Sequence, residues 1–267
     1  MKRVVLFIIF LVLFVMYSNA NELMEIKFTD IEGFRVGHAQ DEIGVTGCTV
    51  IICEKGALAG VSVRGGGSGT RETALLDPKS TIQGIHAVVL SGGSAYGLDA
   101  SAGVMSYLEE KNIGFDVGVG IVPIVCAAVL FDLNIGSPKS RPDKAMGYQA
   151  CLNSETYNLD LQGNIGAGFG ATVGKFFDPL YYMKGGLGSY AVQIGELQVG
   201  AIVAVNAIGD VIDPETRQII AGAYDREKKE FINTEKRLME SVNRETNPFQ
   251  TNTTIGVIIT NAVTDKA

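Results

Sequence analysis

The sequence predicts a single α/β domain, because segments rich in β-branched residues alternate along the chain with segments of helical character. The chain has 267 residues, of which 46% are apolar and 19% charged, so it can bury one large core and is not a disordered protein. Strands are predicted at 48–53, 86–90, 199–205 and 254–260.

Helices are predicted between and beside these strands, at 71–76, 97–111, 123–133 and 144–152. The segment 97–111 is the clearest, because Leu98, Ala102 and Met105 fall on one broad face. A different composition marks 225–245, where 12 of 21 residues are charged and the two signs are nearly balanced. That pattern predicts a solvated helix followed by a linker.

The N-terminus carries the features of a secretory signal peptide. Lys2 and Arg3 precede an apolar run of 14 residues, and Ser18-Asn19-Ala20 then offers small residues for cleavage after Ala20. The run is short for a membrane span, which needs about 20 residues. We therefore expect residues 1–20 to be removed and the protein to be secreted or periplasmic, with a single domain at 25–267. The alternative is a cytoplasmic protein that starts at Met24.

Composition excludes several classes of function. The net charge is −7, so nucleic acid is not an expected partner. Only two histidines are present, His38 near a turn and His86 in a predicted core strand, and the four cysteines show no zinc spacing. Cys48 and Cys126 lie in apolar contexts typical of packed core. No metal or organic cofactor is predicted.

Glycine accounts for 33 residues and is concentrated in three loops, at 64–70, 91–97 and 163–171. A phosphate-binding P-loop is excluded because Phe176, not Ser or Thr, follows Gly174-Lys175. A dinucleotide-binding loop at 166–171 lacks a preceding strand, and Ser94 lacks the second glycine of a nucleophile elbow. The glycines are therefore expected to let backbone pack closely against the wall of an active site.

An unusual junction precedes the last predicted strand. Thr251-Asn252-Thr253-Thr254 is polar, and the apolar run at 255–259 follows at once. A polar linker that enters a buried strand directly is the geometry that self-cleaving hydrolases use.

The three glycine-rich loops and the junction before the last predicted strand together resemble those of peptidase family S58. This family includes L-aminopeptidase/D-esterases, β-peptidyl aminopeptidases and nylon-oligomer hydrolases. The resemblance implies the αββα four-layer sandwich of N-terminal-nucleophile hydrolases. It also implies a precursor that cuts itself before a Ser or Thr, which then becomes the nucleophile. The matching segments occur in family order at 34–39, 64–78, 91–103, 122–133, 141–151, 163–175, 199–209 and 252–262.

By the resemblance, Asn252-Thr253 is the bond that is cut and Thr253 is the nucleophile. The Thr253 α-amine, with a reference pKa of about 7.7–8.0, then serves as the base, so no histidine is required. Asn206 matches the family's asparagine whose side-chain amide points at the negatively charged oxygen that develops in the reaction. Lys175 matches a catalytic-site lysine of the nylon-oligomer hydrolases, and the alternative is that Lys175 is a surface residue. Lys184 is a weaker candidate, because Lys184-Gly185-Gly186 is more typical of a turn.

Two departures from the family pattern are visible. Phe131 stands where some nylon-hydrolysing relatives carry Tyr, so that hydroxyl is absent. Residues 25–252 match the large subunit, but only 15 residues, 253–267, follow the predicted cut, where the family has a whole small subunit. We therefore expect a C-terminally truncated form of the αββα sandwich.

The predicted function is a self-processing aminopeptidase or amide hydrolase that acts on short peptides, amino-acid amides or esters. Two alternatives remain open at this point: an inactive remnant that acts as a non-catalytic module, and an acyltransferase of the ornithine-acetyltransferase type. The acyltransferase is disfavoured because those proteins carry Ala before the nucleophile, where this chain has Asn252. A homo-oligomer is expected from the family alone.

Overall fold

The computed structural model describes residues 22–156, 159, 162–241 and 252–265. The predicted signal peptide at 1–20 and residues 242–245 of the charged segment lie outside the described residues. In the described part of the chain, none of the helices has both the length and the apolarity that crossing a membrane requires.

Nine strands form the two main sheets. They are β1 (Met24–Ile26), β2 (Arg35–Asp41), β3 (Thr46–Ala57), β4 (Thr70–Arg71), β5 (Ile85–Ser91), β6 (Val125–Val129), β7 (Gly186–Ile194), β8 (Leu197–Asn206) and β9 (Thr253–Thr260). One sheet is mixed and has the order β2-β3-β5-β6-β4, with β5 and β6 parallel. The other is antiparallel throughout and has the order β1-β7-β8-β9.

Four pairs of short strands form separate two-stranded sheets in the described part of the chain. They are Phe115–Asp116 with Ile121–Val122, Thr172–Val173 with Met183–Lys184, Val211–Ile212 with Ile219–Ala221, and Tyr224–Asp225 with Glu230–Phe231. The last pair lies in the segment predicted as a solvated helix and linker. The described helix there is shorter, Thr234–Glu240, and follows the strand pair.

Two longer helices, α1 (Ala100–Glu110) and α2 (Lys144–Thr156), cover the mixed sheet. They approach closely because glycines face the partner backbone: a Cβ on Gly103 would lie 1.9 Å from the Lys144 carbonyl oxygen, and one on Gly147 would lie 1.9 Å from that of Ala100. Helix α1 lies between the parallel strands β5 and β6 in sequence, as parallel pairing requires a crossover.

The predicted helix at 123–133 was wrong, because this segment contains strand β6. Its Ala-rich apolar run lacks alternation since β6 is central in the mixed sheet and buried on both faces, a pattern that also fits a buried helix. The predicted helix at 71–76 is a 3-10 turn, Thr73–Leu76. His38 lies in β2, not near a turn, and its Nδ1 is 3.0 Å from the Thr49 hydroxyl.

Two apolar cores separate three layers of structure. One core lies between the helices and the mixed sheet and includes Val50, Val89 and Val104. The second joins the two sheets and includes Leu90 and Ile202. The described residues thus stack as helices, mixed sheet and antiparallel sheet, which is three of the four layers of the predicted sandwich. The outer face of the antiparallel sheet exposes apolar side chains: Tyr190 is 58% exposed, Val199 36% and Ile258 76%.

Candidate active site

The predicted nucleophile and the predicted oxyanion-side amide lie opposite each other. Strand β9 pairs with β8 in a register that places Thr253 across from Asn206. Residues directly opposite in an antiparallel pair have Cβ atoms about 4.5–5.5 Å apart. Alternation puts Thr253 on the same face of β9 as Ile255 and Ile259, which belong to the core between the sheets. Thr253 therefore lies on the inner face of the antiparallel sheet.

Lys175 binds the same asparagine. Its Nζ donates to the Asn206 side-chain oxygen Oδ1 at 2.8 Å and to the Asn206 backbone carbonyl at 3.0 Å. Lys175 is only 5% exposed and Asn206 is fully buried. The alternative of a surface lysine at 175 is thus excluded. Lys175, Asn206 and Thr253 lie far apart in sequence, and the structure brings them together at one end of the β8–β9 pair.

The Asn206 amide is held from both ends. The backbone N–H of Thr172 donates to Oδ1 at 3.1 Å, and Nδ2 donates to the Phe131 carbonyl at 2.8 Å. The oxygen thus faces Lys175 and the nitrogen faces the chain after β6. Burial lowers the pKa of Lys175 to about 7, while the charge of Asp132 acts to raise it. Near neutral pH, this lysine can therefore exist in both charge states.

Sequence reasoning missed Asp132, which is 3% exposed. Its Oδ1 accepts the backbone N–H of Gly93 at 2.6 Å, and its Oδ2 accepts the Thr46 hydroxyl at 2.8 Å. Burial raises the pKa of Asp132, and these hydrogen bonds oppose that shift. A single carboxylate at the end of an apolar run could have indicated a functional residue here. It was missed because 123–133 was predicted as a helix.

Lys184 is not the turn residue that was predicted. It lies in the short strand Met183–Lys184, and its Nζ donates to the Phe169 carbonyl and lies 5.4 Å from the centre of the Phe169 ring. Burial lowers its pKa, and the Asp132 charge opposes that shift. Lys184 is thus a second partly buried cation that interacts with Asp132.

The structure also shows the environment of His86 and of the cysteines. His86 is half-buried in β5, and its Nδ1 accepts the backbone N–H of Ile124 at 3.2 Å. Cys48, Cys53, Cys126 and Cys151 are all free thiols. Over the described ranges, no group of three or more His, Cys, Asp and Glu side chains is arranged to hold a metal ion.

The protein-family model described as "Peptidase family S58" matches residues 27–267. The chain belongs to peptidase family S58. Among its relatives within the family, an uncharacterized aminopeptidase of Mycobacterium tuberculosis is 41% identical over 201 residues, which are 71% of this chain and 55% of that protein. A 6-aminohexanoate-oligomer endohydrolase of Kocuria is 32% identical over 234 residues, covering 87% of this chain and 62% of that protein. The chain thus spans about 55% of the length of its more similar curated relatives.

A solved structure of similar fold agrees with this architecture. The L-aminopeptidase D-Ala-esterase/amidase of Ochrobactrum anthropi, described as a variant of the Ntn-hydrolase fold, superposes with a TM-score of 0.53 at 19% identity. The superposition covers 72% of this chain and 57% of that one. The predicted fold class, the Ntn-hydrolase-like sandwich, is confirmed.

Proposed function

We propose that this chain is a self-processing N-terminal-nucleophile hydrolase that releases N-terminal residues from short peptides or amino-acid amides and esters. The observation that carries the proposal is the cross-strand pair of Thr253 and Asn206, with the buried Lys175 ammonium group on that asparagine. Family membership supports the reaction class, since the relatives are named as aminopeptidases and an oligomer endohydrolase.

The first step is cleavage of the chain before Thr253. The Thr253 hydroxyl oxygen attacks the Asn252 carbonyl carbon, the Asn252–Thr253 amide bond breaks, and the freed amine takes up the hydroxyl proton. Water then hydrolyses the ester that joins Asn252 to the Thr253 oxygen. The product carries Thr253 as its N-terminal residue, with hydroxyl and amine on the same residue.

Turnover uses the same atoms. The neutral Thr253 amine accepts the hydroxyl proton while the oxygen attacks the substrate carbonyl, and the proton passes to the departing amine. Water hydrolyses the resulting acyl ester and regenerates Thr253. A Lys175 ammonium group beside the amine would disfavour its protonation and stabilise the negative oxygen of the intermediate. This role explains how a chain with only two histidines can hydrolyse amides.

The intact mass of the purified chain tests processing. We expect loss of a fragment that begins at Thr253, and we expect Thr253→Ala to stay uncut. Thr254→Ala is the matched control: Thr254 is the next residue, lies on the exposed face of β9 and should not affect cleavage.

Cleavage that persists in Thr253→Ala, or a chain that stays uncut in all three samples, would contradict self-processing. An assay with aminoacyl p-nitroanilides then tests hydrolysis, and release of p-nitroaniline should require Thr253. A processed chain without this activity would indicate the non-catalytic alternative. Export through the N-terminal leader and assembly of several copies stay predictions.

A further inference from the structure

Two of the glycine-rich loops converge on one buried carboxylate. A Cβ on Gly92 would lie 2.1 Å from Asp132 Oδ2, and a Cβ on Gly170 would lie 2.2 Å from the same oxygen. The backbone N–H of Gly93 and the hydroxyl of Thr46 bind the two carboxylate oxygens. Gly92 and Gly170 therefore leave the space that the Asp132 carboxylate occupies, and a side chain at either position would collide with it.

Asp132 directly follows Phe131, whose backbone carbonyl binds the side-chain amide of Asn206. The Phe131 carbonyl accepts Asn206 Nδ2 at 2.8 Å, and the backbone N–H of Leu130 donates to the Ser91 carbonyl at 2.9 Å. The segment after β6 is thus fixed at Leu130 by the end of β5 and at Asp132 by its side chain. The Phe131 carbonyl lies between these two attachments and has little freedom to turn.

We propose that Asp132 is a positioning residue for the amide of Asn206, acting through the Phe131 carbonyl. With Nδ2 held there, Oδ1 must face Lys175 and Thr172, which is the arrangement observed. If the Phe131 carbonyl turned away, the amide could rotate and Lys175 would lose one of its two acceptors on Asn206. The importance of this arrangement for turnover rests on the proposed function, whereas the arrangement itself does not.

The test compares Asp132→Asn with Asp210→Asn. Asn is isosteric with Asp and can still accept the Gly93 N–H, so this variant removes the charge and weakens the attachment with little change in volume. Asp210 is a matched control because it also accepts backbone N–H groups, from Ala223 and Thr234, as well as the Thr234 hydroxyl. A glycine covers it as well, since a Cβ on Gly222 would lie 2.1 Å from Asp210 Oδ1.

Two readouts separate positioning from general stability. The first is the ¹⁵N–¹H spectrum of the Asn206 side-chain amide, assigned with Asn206→Ser, together with its rate of hydrogen exchange. The second is the kcat and KM for an aminoacyl p-nitroanilide. For Asp132→Asn we expect shifted amide signals, faster exchange and a kcat lower by about 10- to 100-fold, with KM changed by less than about twofold. Asp210→Asn should change none of these, even where it lowers the melting temperature.

A third measurement follows the charge state of Lys175. Lys175 and Lys184 both interact electrostatically with Asp132. Removal of the carboxylate charge should therefore lower the pKa of Lys175 still further, and the ¹³Cε shift of this lysine during a pH titration would report it. Thr46→Val is a milder variant that removes one hydrogen bond, and it should give an intermediate change at the Asn206 amide if Asp132→Asn fails to fold.

Unchanged Asn206 amide signals in Asp132→Asn or, if that variant does not fold, in Thr46→Val would overturn the proposal. Equal loss of kcat in the Asp210 variant would also overturn it, because a general loss of stability would then explain both. If the unmodified chain hydrolyses no substrate, the proposed function fails, while the amide spectrum still decides whether Asp132 positions Asn206.

Discussion

The glycine-rich loops look alike in sequence but lie in opposite environments. Residues 61–68 are all exposed, and a Cβ on Gly65, Gly66 or Gly67 would meet nothing within 4 Å. In the loops at 91–97 and 163–171, Gly92 and Gly170 instead press against the Asp132 carboxylate. In the first loop, Gly65–Gly67 lie where there is space and only Gly69, at its end, packs closely, since a Cβ there would lie 2.5 Å from Val129 Cγ2. Gly92 and Gly170 lie where there is none.

Glycine content alone therefore does not identify a functional loop. In the enclosed loops, the missing side chain makes room for a buried carboxylate, which a larger residue would expel. In the exposed loop, glycine adds freedom to the unfolded and folded chain alike. The expectation that these loops pack against an active-site wall therefore holds for the region around Asp132 and not for residues 61–68.

Gly170→Ala should have the largest effect. Its methyl group would lie within 2.7 Å of three Asp132 side-chain atoms, and that side chain is held by two hydrogen bonds. We expect the free energy of unfolding to fall by about 3 kcal/mol or more, measured by urea denaturation. Adding Asp132→Ala to this variant should restore part of the loss, because the contacts with Oδ2 and Cγ are then removed and only the one with Cβ remains. Additive effects of the two changes would contradict the enclosure.

The enclosed region should also show a characteristic pH dependence. The pKa of Lys175 is about 7 in the folded protein, below its value of about 10.4 in an unfolded chain. Between these values the unfolded state binds more protons, so stability should rise as pH increases through 7 and level off near 10. Relative to Lys175→Met, the unmodified chain should gain about 2 kcal/mol between pH 7 and 9.

Urea titrations at several pH values measure this gain. Lys111→Met is the control, since Lys111 is exposed and its hydrogen bond to Glu155 raises its pKa from an ordinary value that is already above this range. If the stability curves of the unmodified chain and Lys175→Met ran parallel from pH 7 to 9, Lys175 would not be the buried lysine described.

Gly66→Ala should have the smallest effect. No neighbouring atom lies within 4 Å of the added methyl group, and Gly66 does not have the positive φ of Gly65. We expect a change in melting temperature that corresponds to less than about 0.5 kcal/mol, with a slight gain because alanine restricts the unfolded chain. A loss comparable with that of Gly170→Ala would show that the exposed loop also packs against something.

Much of the architecture was predictable from sequence because local patterns carried it. The strands β3, β5, β8 and β9 were anticipated within a few residues, since each combines β-branched residues with clear polar boundaries. Helix α1 was anticipated from its apolar face. Strand β6 was not, because a strand buried on both faces lacks alternation, and β7 was not, because its glycines and polar residues weaken the pattern.

The fold class, the family and three candidate site residues could be predicted from the sequence, because these depend on local patterns and ordered motifs. The position of Thr253 opposite Asn206, the burial of Lys175 and the packing of two glycine loops against Asp132 could not be predicted from it. Such facts arise from pairing and packing between residues distant in sequence. Charge state and side-chain orientation follow from that packing, since burial and hydrogen-bond partners control both.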